Sequence, residues 1–363
     1  MKELQFLINQ YIEKGLYPGA EWKIMHKEKV FQDKAGCLNL LTGKPLLSNS
    51  LYRIWSMTKP IVSVVILQLI EEHKIHLEDT ITDYLPQFSN LKVLKYNNSD
   101  ISNVVDIKNM PTIKDLLSHT AGFSYNFLGD AVAKEYDRVG LFHSSDTTLE
   151  EEINLLSTIP LLHQPSTKWV YSVSVDVLAR IIEIVTEESL QTQLEKRIFK
   201  PLGMQDTGFS VTPENLHRLM TSYEFDPLHK KLNDPSSSPQ QIGEIGYPTN
   251  ISTYARGGHG LFSSLEDYSK FAQMLLTGKT KTGTKIISDS MLKMATTNHL
   301  KSSFFPLEIR NFDVEVLEEN DLEPYGWGLG FRVMMDVEKV DNLGSVGEFG
   351  WAGAAATYFL VDP

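Results

Sequence analysis

A serine and a lysine three residues apart, Ser56 and Lys59, stand where Arg53-Ile54-Trp55-Ser56-Met57-Thr58-Lys59-Pro60 runs into Ile61-Val62-Ser63-Val64-Val65-Ile66-Leu67-Gln68-Leu69-Ile70. On a helix that spacing puts both side chains on one face, with Cβ atoms about 5 to 6 Å apart. A hydroxyl is a poor nucleophile until a base takes its proton, and an ammonium cannot be that base while it is charged. Two features of the setting oppose a charge on Lys59: the positive end of the helix dipole, and burial among apolar neighbours. The same helix start points backbone N–H groups at any negative charge growing on a substrate near Ser56. The chemistry in prospect is nucleophilic catalysis by a serine hydroxyl.

Ser-x-x-Lys also occurs at Ser89/Lys92 and Ser290/Lys293, so context has to choose. From Ile61 onward the chain is apolar on nearly every side, the pattern of a helix buried on all faces. Pro60 is tolerated only in a first turn, so the helix starts close to Ser56. Neither other copy opens such a helix. A plainer reading, with Ser56 as a cap and Lys59 as a snorkelling first-turn residue, stays open on these residues alone. A phenol enters at Tyr171, in the loop Trp169-Val170-Tyr171-Ser172-Val173-Ser174 ahead of a helix over 175–188, with Ser172 or Ser174 as its cap and Asp176 in its first turn. Held there, Tyr171 can relay a proton to a leaving group, although a packed tyrosine is the commoner use of such a position. His119 has no legible acidic partner and reads as a structural hydrogen-bonding residue.

The chain of 363 residues, 42% hydrophobic and 10% aromatic, can bury a large core in one large domain or two. A formal net charge of -12 leaves no basic stripe for a nucleic acid or an anionic membrane, and neither partner is expected. The single cysteine, Cys37, excludes an internal disulfide and reads as a buried small residue. The ten histidines lack ligand spacing, so neither metal nor cofactor is expected. Glu3 and Gln5 interrupt what an export signal would need as an apolar run, and no stretch reaches membrane-spanning length; the expected location is cytoplasmic.

Around these residues the periodicity predicts a helix over 2–14, then adjacent antiparallel strands at 19–25, 29–36 and 51–54 leading into the Ser56 helix. Short helices follow at 81–85 and 112–117, an exposed polar loop at 96–106, and a helix over 149–157 with glutamates in its first turn. Residues 222–256 read as a long surface loop, 265–276 as an amphipathic helix, and 326–333, 346–356 and 357–361 as strands. Strands at both ends with helices between them predict an α+β architecture: a sheet domain from 1–55 and 211–363, a mostly helical domain from 56–210, and a site in the cleft between them.

Ser56-Met57-Thr58-Lys59-Pro60, Leu116-Leu117-Ser118-His119-Thr120-Ala121-Gly122, Tyr171-Ser172, Pro201-Leu202-Gly203-Met204, Gly257-Gly258-His259-Gly260-Leu261 and Trp351-Ala352-Gly353 occur in an order that resembles serine beta-lactamase-related hydrolases, above all family VIII carboxylesterases and lovastatin-type acyltransferases. The resemblance covers nearly the whole chain and implies the beta-lactamase/penicillin-binding-protein fold, an antiparallel sheet flanked by helices. It implies Ser56 as the acylated nucleophile, Lys59 as its general base and Tyr171 as the second proton-handling group. It also implies an oxyanion hole from the backbone N–H groups of Ser56 and Ala354, with Trp351 as an apolar wall and Gly353 allowing close approach of a strand edge.

Tyr96-Asn97-Asn98 and Lys281-Thr282-Gly283 imitate two penicillin-recognising motifs, but the first lies in a polar insertion and the second in a turn after the 265–276 helix. Tyr171-Ser172-Val173 and Trp351-Ala352-Gly353 fit those positions better and lack the Asn and Lys that would grip a substrate carboxylate. Losing such a charge-assisted pair, worth roughly 1.5 to 3 kcal/mol, shifts preference toward neutral esters. No Gly-x-Ser-x-Gly elbow occurs, against an α/β-hydrolase. Members of the family usually continue past 357–361 with another strand and a packed helix, whereas this sequence stops at Pro363; a fragment, or a sheet that ends differently with an edge open to association, is expected. The resulting expectation is a serine carboxylesterase acting on a small-molecule ester, with no metal or cofactor. Its alternatives are an acyltransferase to an alcohol, a weak beta-lactamase or D-Ala peptidase, and a non-catalytic binding protein.

Overall fold

The computed structural model describes residues 1–142, 147–223, 225–226, 229–233, 255–309, 322–339 and 344–363. Helix α1 (Lys2–Glu13) stops before Gly15, whose φ of +71° turns the chain, and none of its residues is buried. Strands β1 (Gly19–His26) and β2 (Lys29–Asn39) form a hairpin paired from Gly19–Gly36 to His26–Lys29, and β3 (Lys44–Pro45) adds to β2. Cys37, expected in the core, is half-buried on β2.

The segment expected as the next strand of that sheet, β4 (Tyr52–Arg53), pairs instead with Phe262–Ser263. Its neighbours explain this: the Leu51 N–H donates to Arg218 O and the Ile54 N–H to Leu261 O, so distant segments take up the backbone groups on either side of it. A 3₁₀ turn at Trp55–Met57 then feeds helix α2 (Thr58–Glu71), in which every residue from Thr58 to Leu69 is buried, as its all-round apolar sequence requires.

Residues 96–106 contain more order than expected. Val104-Val105-Asp106 makes strand β6 and pairs with β5 (Lys92–Leu94), since two β-branched residues favour a pleated edge. Helix α3 (Ile113–Leu117) opens on a capping box of Thr112 and Asp115, and α4 (Leu149–Leu156) on one of Thr148 and Glu151. Helix α5 (Ser174–Thr186) has no side-chain cap. The two serines expected to supply it are spent on each other, 2.8 Å apart, and Ser172 on the His119 ring. Most of the surface loop expected over 222–256 lies outside the described residues.

After β7 (Phe262–Ser263), helix α6 (Leu265–Thr277) is capped by Ser264 and ended by Gly278 at φ +68°. The last sheet has the order β8 (Tyr325–Trp327), β9 (Arg332–Met334), β10 (Phe349–Gly353), β11 (Thr357–Val361), all antiparallel. The single strand expected over 326–333 is thus a hairpin, because Gly330 takes φ +95° and Gly328 N–H closes onto Phe331 O at 2.8 Å. This hairpin is seated on the helices. Gly330 N–H and Trp327 Nε1–H both donate to Leu117 O, at 3.0 and 3.2 Å, and a Cβ on Gly330 would lie 2.2 Å from Ser63 Oγ on α2. One hydrophobic core runs from α2 through α5 and α6 to the last sheet. Among the described residues no helix is long and apolar enough to cross a membrane.

Candidate active site

Ser56 lies in the 3₁₀ turn that opens α2, and four hydrogen bonds from other elements hold that turn. Ile54 N–H donates to Leu261 O at 3.1 Å and Leu261 N–H to Thr58 Oγ1 at 3.1 Å. The Tyr268 hydroxyl on α6 donates to Met57 O at 2.9 Å, and the Thr357 hydroxyl to Ile54 O at 3.3 Å. Trp55, immediately before the serine, has φ +46°. For a bulky residue that is a strained conformation of the kind that persists where surrounding structure imposes it, often beside a reactive group.

Lys59 points from the first turn of α2 into the same space with only 1% of its surface exposed. Its Nζ stands 3.2 Å from Ser56 Oγ, 3.4 Å from the Tyr125 hydroxyl and 2.8 Å from Gly258 O. Three oxygens surround the nitrogen, which is how a buried lysine avoids an uncompensated desolvation cost. The nitrogen also lies 4.9 Å from the Tyr125 ring centre and 4.6 Å from that of Tyr171; the two rings are nearly parallel at 5.6 Å. Of the three Ser-x-x-Lys pairs, only this one has a buried lysine in contact with its serine. Ser89, Lys92, Ser290 and Lys293 are all exposed.

Tyr171 reaches the site from the loop ahead of α5. That loop is bracketed by Val170 N–H donating to His119 O at 2.9 Å and Val173 N–H to Ser124 O at 3.1 Å. His119 takes the structural part expected of it: Nδ1 accepts from the Ser172 N–H at 3.3 Å, and the ring packs 4.9 Å from that of Tyr171. Burial, with the nearby Lys59 adding to it, holds the His119 imidazole well below its ordinary pKa, so it stays neutral. The Tyr171 hydroxyl accepts from Trp351 Nε1–H at 3.1 Å and has no hydrogen bond to Ser56 or Lys59. Trp351, on β10, is buried against Trp327 at 4.6 Å.

Two residues further along β10, a Cβ on Gly353 would fall 2.4 Å from Ile54 O, so the missing side chain is what lets this strand end lie against the Ser56 turn. Ala354 follows it in an exposed turn. The imitation motifs stay away from this cluster: Tyr96 is 61% exposed, and Lys281 sits exposed in its turn.

Three groups of the site were not legible from spacing. Tyr125 follows the Ala121-Gly122 turn as one more aromatic in an apolar run. Its hydroxyl is 3.5 Å from His259 Nδ1, and burial followed by the Lys59 charge lowers the His259 imidazole to about 3. Asp176, read as a first-turn acid, is fully buried; its Oδ1 accepts the Gly258 N–H at 2.9 Å and its Oδ2 has no hydrogen-bond partner. Burial raises its carboxyl above the usual range, and Lys59 pulls it back. Gly258 therefore links a buried acid to the Lys59 amine. Among the described residues no group of three or more His, Cys, Asp or Glu could hold a metal ion.

The beta-lactamase family profile matches residues 5–363. The lovastatin esterase of Penicillium rubens is 29% identical over 343 residues, 92% of this chain and 82% of that protein. Esterase EstB of Burkholderia gladioli is 28% identical over 253 residues, covering 67% and 61%. Among solved structures, EstCE1, described as a hydrolase with promiscuous acyltransferase activity, superposes with a TM-score of 0.80 at 25% identity and covers all of this chain and 90% of its own.

Proposed function

The chain belongs to the beta-lactamase family, and from that premise we propose that it is a serine carboxylesterase that cleaves small neutral esters through an acyl-Ser56 intermediate. The observation that carries this reading is the Lys59 nitrogen, buried and 3.2 Å from Ser56 Oγ at the mouth of α2. In this scheme Lys59 takes the Ser56 proton as Oγ attacks the ester carbonyl, and the backbone N–H groups of Ser56 and Ala354 receive the oxyanion. The departing alkoxide takes the Tyr171 proton, which leaves a phenolate facing the Lys59 ammonium.

A water then gives its proton back to Tyr171 and attacks the acyl carbon. Ser56 leaves with the proton that Lys59 held, and every group returns to its starting state. The reacting groups sit between a sheet part, 1–55 and 211–363, and a helical part, 56–210. Trp351 and Gly353 border the substrate, and an apolar side chain where penicillin-binding relatives place a cation favours esters without a carboxylate. An alcohol replacing the water would make the same acyl-enzyme a transferase, the promiscuity described for EstCE1.

Ser56→Ala tests the reading directly. Turnover of p-nitrophenyl butyrate and labelling by a fluorophosphonate probe are both expected to vanish while the unfolding midpoint stays in place. Retained turnover in that variant rejects the assignment.

A further inference from the structure

We propose that Trp351 acts on the reaction through Tyr171 as a positioning residue, its indole N–H fixing the phenol oxygen, in addition to walling the substrate. This rests on the proposed function. The geometry begins with a shortage of partners. Tyr171 is 4% exposed and ringed by aromatic groups: His119 at 4.9 Å, Trp351 at 5.1 Å, Tyr125 at 5.6 Å, and Phe127 and Trp327 each at 6.4 Å.

Such a cage fixes the plane of the ring and offers its oxygen one polar partner, the Trp351 indole nitrogen. Among the described residues, the only hydrogen bond made by the Tyr171 side chain comes from Trp351 Nε1, and indole nitrogen can only donate. The phenol oxygen is therefore the acceptor in that bond. Its own proton stays free to be given away, and one lone pair stays free to take a proton back. When the proton leaves, the indole N–H faces the new negative charge in a water-poor setting, where a donor already in place stabilises it most.

The position on the strand supports this assignment. Trp351 pairs with Phe359 on β11, two residues before the Gly353 that lies against Ile54 O, so one strand delivers both the donor and the close approach to the Ser56 turn. An apolar wall alone would need the bulk of the indole but no nitrogen aimed at a catalytic oxygen.

The experiment separates the two parts that Trp351 plays. Trp351→Phe keeps an aromatic wall and removes the donor. A benzothienylalanine at position 351, which replaces the indole N–H by sulfur, keeps the bulk as well and carries the test should the phenylalanine variant fold poorly. In both, kcat for p-nitrophenyl butyrate is expected to fall about 10- to 100-fold with KM within about twofold of wild type. In a Tyr171→Phe background the same replacements are expected to cost less than about twofold more, because the oxygen they serve is gone. An unchanged kcat, a loss confined to KM, or an equal loss with and without Tyr171 overturns the proposal. A Tyr171→Phe enzyme as active as wild type instead overturns the role given to Tyr171, and Ser56→Ala activity the esterase reading itself.

Discussion

Gly258→Ala adds one methyl group at a point where the site has little room. The added carbon would lie 2.4 Å from Asp176 Oδ2, 3.2 Å from Asp176 Cγ and 3.0 Å from the Tyr125 hydroxyl oxygen. Gly258 does not occupy the left-handed region, so alanine tolerates the backbone and the whole effect comes from the contact. Asp176 has no free space to retreat into, since it is fully buried and its other oxygen is bound to the Gly258 N–H. The element that yields is the Gly258 backbone, and it takes the carbonyl away from Lys59, now 2.8 Å distant.

Overpacking of this kind costs about 1 to 3 kcal/mol of stability, and a displacement near 1 Å beside a reacting group costs on the order of 10²-fold in rate. Both are measurable on one preparation, by urea unfolding and by kcat/KM for p-nitrophenyl butyrate. Asp176→Ala removes the nearest clashing atom, Oδ2, and the Cγ that carries it, so the double variant is expected to be more stable than the sum of the single losses allows. Wild-type kcat/KM and an unmoved unfolding midpoint in Gly258→Ala refute the role given to this contact.

Two further outcomes follow from titratable groups held away from solvent. Lys59→Met is expected to lower kcat/KM by about 10²- to 10⁴-fold, the usual contribution of a general base, while the urea midpoint changes little because a buried charge carrier has been replaced by an apolar chain; a large loss of stability refutes the balance inferred for Lys59. Burial lowers the imidazoles of His119, His163 and His259 in the folded chain, to about 4 for His163 and about 3 for His259, against 6.5 ordinarily. Below pH 6.5 the unfolded chain binds protons that the folded chain refuses, so this stability is fully present above 6.5 and is lost as the pH falls, by about 1.4 kcal/mol per pH unit for each histidine. Unfolding free energies between pH 7 and 5 are expected to show that decline, and His163→Gln to remove about one proton from its slope; an identical slope in the variant counts against the burial argument.

The helix behind Ser56 could be read from sequence because its signal is local: an unbroken apolar run with a proline allowed only in its first turn. Choosing Ser56 and Lys59 over the two rival pairs followed from the same run, and the burial of Lys59 against the exposure of Lys92 and Lys293 agrees with that choice. Errors gathered where a partner lay far along the chain. The placement of β4 depends on Arg218 and Leu261, and the serines ahead of α5 are claimed by each other and by His119. Tyr125 and Asp176 were missed for a related reason. Each is an ordinary residue in its own segment, and what sets it apart is a lysine 66 positions away or a glycine 82 positions away. The hairpin at 326–333 was legible only in part, since its glycines mark a bend without saying that the bend must nest on a helix.

Position 330 bears on how guests are chosen. With only hydrogen between its backbone and the Ser63 side chain, and with two donors sharing the Leu117 carbonyl, the hairpin meets α2, which Ser56 opens, and the helix ending at Leu117 without slack. Walls bolted together so closely have little freedom to clamp down after entry. For the esterase proposed above, discrimination then falls to admission: the width of the opening and the shape of its rim would decide which molecules ever meet the serine.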